Sequence, residues 1–159
     1  MWQEMARGVF PVQVIVDTAR PDFPPTEEED LALHVTVVFT SEQATCSALK
    51  KAAALAGRMR ARITLMAPQV VPYPRPLNSP PVRLDFTEKR LRAVTSQIPV
   101  ETEVRVVLCR DLQDAWTQEL KPRSVVVLGG RRTWWPTAEK RLARKLRKSG
   151  HEVIVTETE

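Results

Sequence analysis

The feature that most constrains the fold is a fivefold alternation between short apolar segments and longer connections in residues 34–159. Each segment is rich in valine, isoleucine, leucine and threonine, which is typical of a strand buried on both faces. The connections are long enough for the crossover helices that parallel neighbours require. The pattern therefore predicts an α/β fold, a five-stranded, mostly parallel sheet sandwiched by helices. The strands are expected at residues 35–40, 63–67, 103–109, 124–128 and 152–156.

The connections carry helix signals of their own. Residues 40–43 fit a capping box, Asp85 and Asp111 are expected as N-caps, and Gly150 is expected to end the last helix. Apolar residues recur at the 3.6-residue period of a helix. The residues expected on the inner helix faces are Leu55, Leu91, Trp116 and Leu142.

The connection after the second strand is different, because residues 68–84 contain six prolines. Proline removes a backbone donor and clashes with the preceding turn, so a regular helix is excluded over this stretch. A loop of this length in a compact domain is usually functional or disordered.

Residues 1–33 are expected to form an acidic, proline-containing extension or linker, and residues 34–159 the α/β domain. The extension has two arginines and seven acidic residues, a net charge of −5, whereas the whole chain carries +5. Ten lysines and arginines lie in residues 121–150 beside the single acid Glu139. Residues 12–16 could form a strand that adds to a sheet edge, the chain's own or a partner's, or could belong to a loosely attached tail.

The sequence predicts a cytoplasmic protein without a transmembrane segment. No apolar run reaches the roughly 18–20 residues of a membrane helix, and the first ten residues lack the profile of a signal peptide. The two cysteines, Cys46 and Cys109, form no Cys-x-x-Cys pair. They are expected to be buried, reduced thiols rather than zinc ligands or a redox pair.

Two expected strand ends carry residues suited to an anionic ligand. Ligands of open parallel sheets bind at the carboxyl ends of strands, where the strand order reverses. Glycines admit a close backbone approach, helix N-termini offer free N–H groups, and arginines can pair with phosphate oxygens. The alternative is a plain glycine turn with solvated arginines. The candidate residues are Thr40 and Ser41 after the first strand, and Gly129, Gly130, Arg131, Arg132 and Thr133 after the fourth.

The order of strands and helices, the long loop after the second strand and the stretch VVVLGGRRTWW…RLARKLRKSGHEVIV resemble the universal stress protein family. The last stretch is most similar to the universal-stress-like cytoplasmic domain of potassium-sensing histidine kinases, where a turn with glycine and arginine precedes a basic helix, Ser-Gly and a final strand. The resemblance covers about residues 34–159. It implies the strand order 3-2-1-4-5 of adenine nucleotide alpha hydrolase-like folds, which would place Thr40 beside Gly129.

ATP-binding members of that family carry Gly-x-x-Gly, about nine further residues, and then Gly-Ser or Gly-Thr. Gly129 or Gly130 could supply the first glycine, but Arg132 and Thr133 stand where the second is required, and residues 138–140 replace the later pair. The family's acidic residue at the end of the first strand is also absent. The resemblance therefore implies a degenerate site, which binds ATP or another adenine nucleotide weakly, binds a different anionic ligand, or binds none.

No residue pattern indicates catalysis, so we expect neither catalytic residues nor metal ligands. His34 and His151 lie at the beginnings of expected strands, opposite the edge where ligands bind. No Ser–His–Asp order, paired-carboxylate motif or metal cluster is present in the sequence.

The expected helix at residues 137–148 is strongly basic and follows a pair of tryptophans, Trp134 and Trp135. The basic face could bind nucleic acid, an anionic surface or an acidic protein, or it could be a solvated face with cations near the helix C-terminus. The tryptophans could stack on a base, cover a dimer contact or anchor the start of the helix. The basic residues are Lys140, Arg141, Arg144, Lys145, Arg147 and Lys148.

The expected function is that of a non-catalytic, universal-stress-like regulatory or ligand-sensing domain in a stress response. One alternative is a protein-interaction module that has lost nucleotide binding and works through the acidic extension or the basic helix. A second alternative is nucleic-acid or anionic-surface binding through residues 137–148. The resemblance also implies a homodimer formed through the last strand, where Val153 and Val155 suit an edge contact.

Overall fold

The computed structural model describes residues 13–17, 33–59, 61–120, 124–131 and 133–158, with the backbone alone for residues 13–17. The elements in chain order are β1 (Gln13–Asp17), β2 (His34–Val38), α1 (Glu42–Met59), β3 (Arg62–Val70), α2 (Leu84–Thr95), β4 (Thr102–Cys109), α3 (Leu112–Glu119), β5 (Val125–Arg131), α4 (Ala138–Lys148) and β6 (Glu152–Thr158).

The strands form one sheet in the order β1-β4-β3-β2-β5-β6. The five strands from β2 to β6 are parallel to one another. This confirms the predicted five-stranded parallel sheet and its order, since β2 to β6 taken as strands one to five give 3-2-1-4-5.

A sixth strand, β1, adds to the sheet next to β4 and runs antiparallel to it, with Gln13 opposite Leu108 and Asp17 opposite Val104. Among the alternatives for this stretch, the structure therefore shows addition to the edge of the chain's own sheet. The other residues of the predicted extension, including the acidic run at 27–30, lie outside the described residues, and its boundary at residue 33 stays a prediction.

Helices cover both faces of the sheet, and successive strand residues face opposite cores, as the two-residue strand period requires. Val37 belongs to the core under α1 and α2, whereas Val38 belongs to the core under α3 and α4. The predicted inner-face residues pack as expected. Leu91 and Trp116 are buried, and Leu55 and Leu142 are partly buried against the two cores.

Small side chains let α1 lie close to the sheet. Four buried alanines recur at every fourth position along its inner face, so the helix backbone can approach the strands without bulky side chains between them. These residues are Ala44, Ala48, Ala52 and Ala56.

Three strands, β3, β5 and β6, continue past their predicted ends, whereas β2 ends at Val38, two residues earlier than predicted. β3 continues through Pro68 to Val70, so the proline-rich loop occupies residues 71–83. Beyond Met66, β3 pairs only with β4, so a residue without an N–H need not break a bond to β2. β5 continues through both glycines to Arg131, because β6 pairs with it as far as Thr158.

Two of the four predicted helix ends agree with the structure, and the cap of α1 lies one residue later than predicted. The Asp111 side chain accepts a hydrogen bond from the Gln113 backbone N–H and caps α3. Gly150 follows α4 with φ of 91°, a left-handed conformation that favours glycine. Asp85 is not a cap: α2 starts at Leu84, and the Asp85 carboxylate pairs with Arg83 instead.

Candidate functional site

The predicted site residues lie where β2 and β5 end, at the carboxyl edge of the parallel strands. These two strands are neighbours, but the chain leaves β2 for β3 on the opposite side, so the strand order reverses between them. Open α/β sheets bind ligands at such a switch point. The pairing of β2 with β5 ends at Val38 and Leu128, and the residues that follow build the edge.

Thr40 and Gly129 are in direct contact across this edge. The Thr40 hydroxyl donates a hydrogen bond to the Gly129 carbonyl at 3.2 Å. The hydroxyl satisfies a carbonyl that lies just beyond the last paired residues of the two strands. The structure therefore brings these two candidate residues together, but it uses the Thr40 hydroxyl to join two parts of the chain.

Ser41 also has a structural role. Its hydroxyl accepts a hydrogen bond from the Ala44 backbone N–H at 3.3 Å and so caps α1, one residue later than the predicted capping box. The Thr45 hydroxyl in turn accepts from the Thr40 backbone N–H at 3.1 Å. One N–H group of the first helical turn and the N–H group just before the cap are thus already satisfied, which reduces what this helix end offers to an anion.

The backbone of α1 lies directly against the sheet at Gly129. A Cβ atom added to it would lie 2.0 Å from the Ala44 carbonyl oxygen and 2.4 Å from the carbonyl carbon. The obstruction is backbone, which cannot turn aside as a flexible side chain can. Gly129 is therefore required for helix packing, and its part in binding a ligand stays a prediction.

Gly130 and Arg131 belong to β5 rather than to a turn, opposite Glu157 and Thr158 of β6. Gly130 is buried, but a Cβ atom added to it would lie 3.6 Å from the nearest side-chain atom, which is an ordinary van der Waals contact. Arg131 is exposed and forms no ion pair with another described residue. Arg132 lies outside the described residues, so its part in the site stays a prediction.

Thr133 organises the segment between β5 and α4. Its hydroxyl accepts from the Trp135 backbone N–H at 3.3 Å, and its carbonyl accepts from the Lys140 ammonium group. The Thr137 side chain caps α4 by accepting from the Lys140 backbone N–H at 3.3 Å. The segment is thus held by its own hydrogen bonds, whereas Trp134 and Trp135 stay exposed.

Sequence reasoning missed an arginine that joins α2 to the start of α1 at the carboxyl edge. Arg90, on α2, pairs with the Glu42 carboxylate at the start of α1 and lies 5.3 Å from the centre of the Phe39 ring. The two helices are far apart in sequence, so no local pattern indicates this contact. The guanidinium neutralises the carboxylate nearest to Ser41, which makes the edge less repulsive to an anion.

A second missed residue, Arg110, holds the proline-rich loop. It follows β4, donates to the Val71 and Arg75 carbonyls at 2.8 Å each, and lies 4.2 Å from the centre of the Tyr73 ring. A single guanidinium thus satisfies two loop carbonyls and stacks on an aromatic ring. The loop therefore has a defined attachment at the β4 end of the carboxyl edge.

Cys109 is a buried thiol at the end of β4. Burial raises the pKa of Cys109 to about 11, and the carboxylates of Asp111 and Asp114 act in the same direction. The thiol lies 3.8 Å from the Gln69 carbonyl, which can accept its proton as a weak hydrogen bond. A thiol held in its neutral form is a poor nucleophile, so this position does not suit covalent chemistry.

The opposite edge of the sheet holds the two histidines. His34 begins β2, and the His151 Nδ1 atom lies 3.3 Å from the Ser124 hydroxyl just before β5. Among the residues that the structure describes, no group of three or more histidine, cysteine, aspartate or glutamate side chains could hold a metal ion. Within the same residues, no helix is both long and apolar enough to cross a bilayer.

A surface depression of about 440 Å³ lies beside the first turns of α1. It borders the predicted site, because its lining includes Thr158, which is paired with Arg131 and donates a hydrogen bond to the Gly130 carbonyl. Its lining is polar and mixed in charge. The lining residues are Glu42, Gln43, Cys46, Ser47, Lys50, Gln97 and Thr158.

Comparison with known proteins identifies the fold. No family model and no curated protein matches the chain. Among solved structures, the chain is similar to a universal stress protein crystallised in complex with cAMP, over 80% of this chain and 98% of that one. The TM-score is 0.51 and the sequence identity 17%. The chain thus has the fold of the universal stress proteins, an α/β sandwich with a parallel sheet.

The packing of α1 predicts opposite outcomes at the two glycines. Gly129→Ala should lower the free energy of unfolding by about 3 kcal/mol, the upper part of the range for overpacking, because its Cβ would meet backbone. Gly130→Ala should change it by no more than about 1 kcal/mol, since the nearest atoms would be 3.6 Å away. Urea unfolding followed by circular dichroism measures both. Equal effects of the two substitutions would contradict the packing role of Gly129.

The raised pKa of Cys109 predicts that its thiol reacts only after unfolding. In a Cys46→Ser variant at pH 8, about one Cys109 thiol in a thousand is ionised, given a pKa of about 11. Labelling by iodoacetamide should be negligible in the native protein and complete in urea. Native labelling should rise about tenfold per pH unit, because the thiolate population does so below the pKa. A Cys109→Ser variant, which keeps the half-buried Cys46, is the control. Rapid native labelling of Cys109 would contradict this reading.

Proposed function

We propose that this chain is a non-catalytic, universal-stress-like regulatory domain that binds an anionic ligand, such as an adenine nucleotide, weakly at the β2–β5 switch point. The observation that carries the proposal is Arg131, an exposed cation at the end of β5 with no ion-pair partner among the described residues. It stands at the edge where sheets of this kind bind ligands. The structurally similar universal stress protein was crystallised with cAMP, an adenine nucleotide with one anionic phosphate.

The geometry supports weak rather than tight binding. The Thr40 and Ser41 hydroxyls serve the chain itself, and Gly129 is occupied by helix packing. The contacts left for a phosphate are the guanidinium of Arg131 and, as the sequence predicts, that of Arg132. A charged hydrogen bond contributes about 1.5–3 kcal/mol, so one or two such bonds support only modest affinity.

These hydrogen bonds within the chain favour one competing function, a protein-interaction module that has lost its nucleotide site. The internal use of Thr40, Ser41 and the Thr133 carbonyl would be expected if no ligand had to be held there. A nucleotide panel separates the two functions, because an interaction module would not be stabilised by any nucleotide. Three expectations stay predictions. They are the similarity of the β5–β6 stretch to potassium-sensing histidine kinases, a role in a stress response and a cytoplasmic location.

The ligand proposal predicts that removing two cations weakens binding without unfolding the domain. Thermal shift with cAMP, AMP, ADP, ATP and inorganic phosphate should identify a stabilising ligand, and calorimetry should give its affinity. Arg131→Ala with Arg132→Ala should reduce that affinity by about 10- to 100-fold per hydrogen bond lost. The free energy of unfolding should change by less than about 0.5 kcal/mol, since Arg131 is exposed.

Arg58→Ala is the matched control, because Arg58 is an exposed arginine at the far end of α1, towards the amino edge of the sheet. It should leave the affinity unchanged. A ligand that binds the double variant as well as it binds the wild type would contradict the site, and a panel without a stabilising ligand would favour the interaction module.

We also propose that the domain forms a homodimer through β6. Among the described residues, this strand pairs with β5 alone and so lies at an edge of the sheet. An edge strand presents unpaired backbone groups that a second copy can satisfy. Light scattering at rising protein concentration should give twice the chain mass of 18.0 kDa. A monomer mass at the highest concentration would contradict the dimer.

A further inference from the structure

The most exposed apolar surface of the described residues is a pair of adjacent tryptophans between β5 and α4. Trp134 is 91% exposed and Trp135 is 69% exposed. Tryptophan exposes a large apolar area to water, and exposed apolar groups of this size commonly mark an interaction site. Neither the fold nor the proposed nucleotide site explains why two such rings stand in solvent.

The two rings are positioned rather than loose. Their centroids are 5.6 Å apart with an angle of 61° between the ring planes, which is an edge-to-face contact. The segment that carries them is held at Thr133, whose hydroxyl accepts from the Trp135 backbone N–H and whose carbonyl accepts from the Lys140 ammonium group. A ring face can therefore be offered to a partner without much additional loss of conformational freedom.

The helix that follows continues this surface as a row of cations. Arg141, Arg144, Lys145 and Lys148 are exposed and have no ion-pair partner among the described residues. Spacings of three and four residues place them on one face of α4, at intervals of about 5–6 Å along about 10 Å of helix. The only acidic residue of α4, Glu139, is half-buried beside Gly130 and lies away from this row.

The structure favours a polymeric anion with flat aromatic groups over a lipid surface. A helix that lies on a membrane buries its apolar face in the lipid. The apolar face of α4 is already buried in the core of this domain, where Ala143 is 1% and Leu146 is 3% exposed. The outer face therefore offers charge alone, and the aromatic rings are confined to the segment before the helix.

We propose that Trp134, Trp135 and the α4 cations Arg141, Arg144, Lys145 and Lys148 form a binding surface for single-stranded nucleic acid. The tryptophan rings stack on unpaired bases, and the cations follow the phosphate backbone. This combination of stacking groups and a basic track is how proteins hold single strands without reading their sequence. A duplex keeps its bases stacked inside, so it offers the phosphates to α4 but no base to the tryptophans.

The test measures the binding of fluorescently labelled dT12 and U12 oligonucleotides by anisotropy, with a 12-base-pair DNA duplex and phosphatidylcholine–phosphatidylserine vesicles as separate arms. The wild-type chain should bind the single strands more tightly than the duplex. Comparison of dT12 with U12 shows whether DNA or RNA is preferred. Affinity should fall steeply with salt, since phosphate contacts release counterions.

Two pairs of variants separate stacking from charge. Trp134→Leu and Trp135→Leu keep an apolar side chain but remove the ring, and each should weaken single-strand binding by about 5- to 100-fold. Phe86→Ala, at an exposed aromatic residue on the other face of the sheet, is the matched control and should have no effect. Arg144→Ala with Lys145→Ala should reduce the slope of log affinity against log salt by about 1.4. Lys50→Ala with Lys51→Ala removes equal charge from α1 and should leave the slope unchanged.

Failure to bind either oligonucleotide would overturn the proposal, as would binding to vesicles alone. Equal affinity for duplex and single strand, unaffected by the tryptophan substitutions, would overturn the stacking surface. The nucleotide site is tested independently, because none of these variants changes Arg131 or Arg132. All the substituted side chains are exposed, so circular dichroism and thermal unfolding should match the wild type.

Discussion

The architecture of the carboxyl edge depends on the close approach of the first turn of α1 to Gly129. Only a residue without a Cβ fits there, because a side chain would overlap the Ala44 carbonyl. The approach places Thr40 within hydrogen-bond distance of the Gly129 carbonyl and seats Ser41 as the cap of α1. One steric constraint thus determines how β2, α1 and β5 meet, and with them the form of the only switch point in the parallel part of the described sheet.

This constraint limits what a ligand could contact. In a nucleotide site built on a glycine-rich loop, the backbone N–H groups face the phosphates and glycine leaves space for them. Here the glycines continue a strand that pairs with β6, and a helix lies over the first of them. The contacts that remain for a ligand at this edge are therefore charged side chains. Arg131 is exposed at the end of β5, while Arg90 neutralises Glu42 on the neighbouring side.

The exposed cations that the structure describes in the basic stretch, residues 121–150, lie on two surfaces. Arg131 lies on the edge of the sheet, whereas the α4 cations lie on the outer face of a helix whose inner face fills the core. The exposed tryptophans stand between them. The two sets share no residue, because the proposed nucleotide site uses Arg131 and Arg132 and the proposed nucleic-acid surface uses the tryptophans and the α4 cations. The two proposed activities therefore need not compete for the same residues.

The sequence by itself determined the type and order of the elements from β2 onwards, and left β1 open between an edge strand and a tail. Strands that are apolar at successive positions and helices with one apolar stripe are local patterns, and they predicted the parallel sheet, the inner faces of all four helices and the caps at Asp111 and Gly150. The order 3-2-1-4-5 came from the resemblance to universal stress proteins, and the structure agrees with it. The adjacency of Thr40 and Gly129, which that order implies, is also present in the structure.

Tertiary structure alone decided what the site residues do. Thr40 and Gly129 are 89 residues apart, and a pattern read along the chain cannot show that one satisfies the carbonyl of the other. The same holds for Arg90 on Glu42 and for the length of β5, which depends on how far β6 runs beside it. Periodicity reports which face of an element is buried. It does not report which backbone atoms of another element lie against a given residue. At Gly129 an added Cβ would lie 2.0 Å from the Ala44 carbonyl oxygen, and this contact is what makes Gly129 a packing residue.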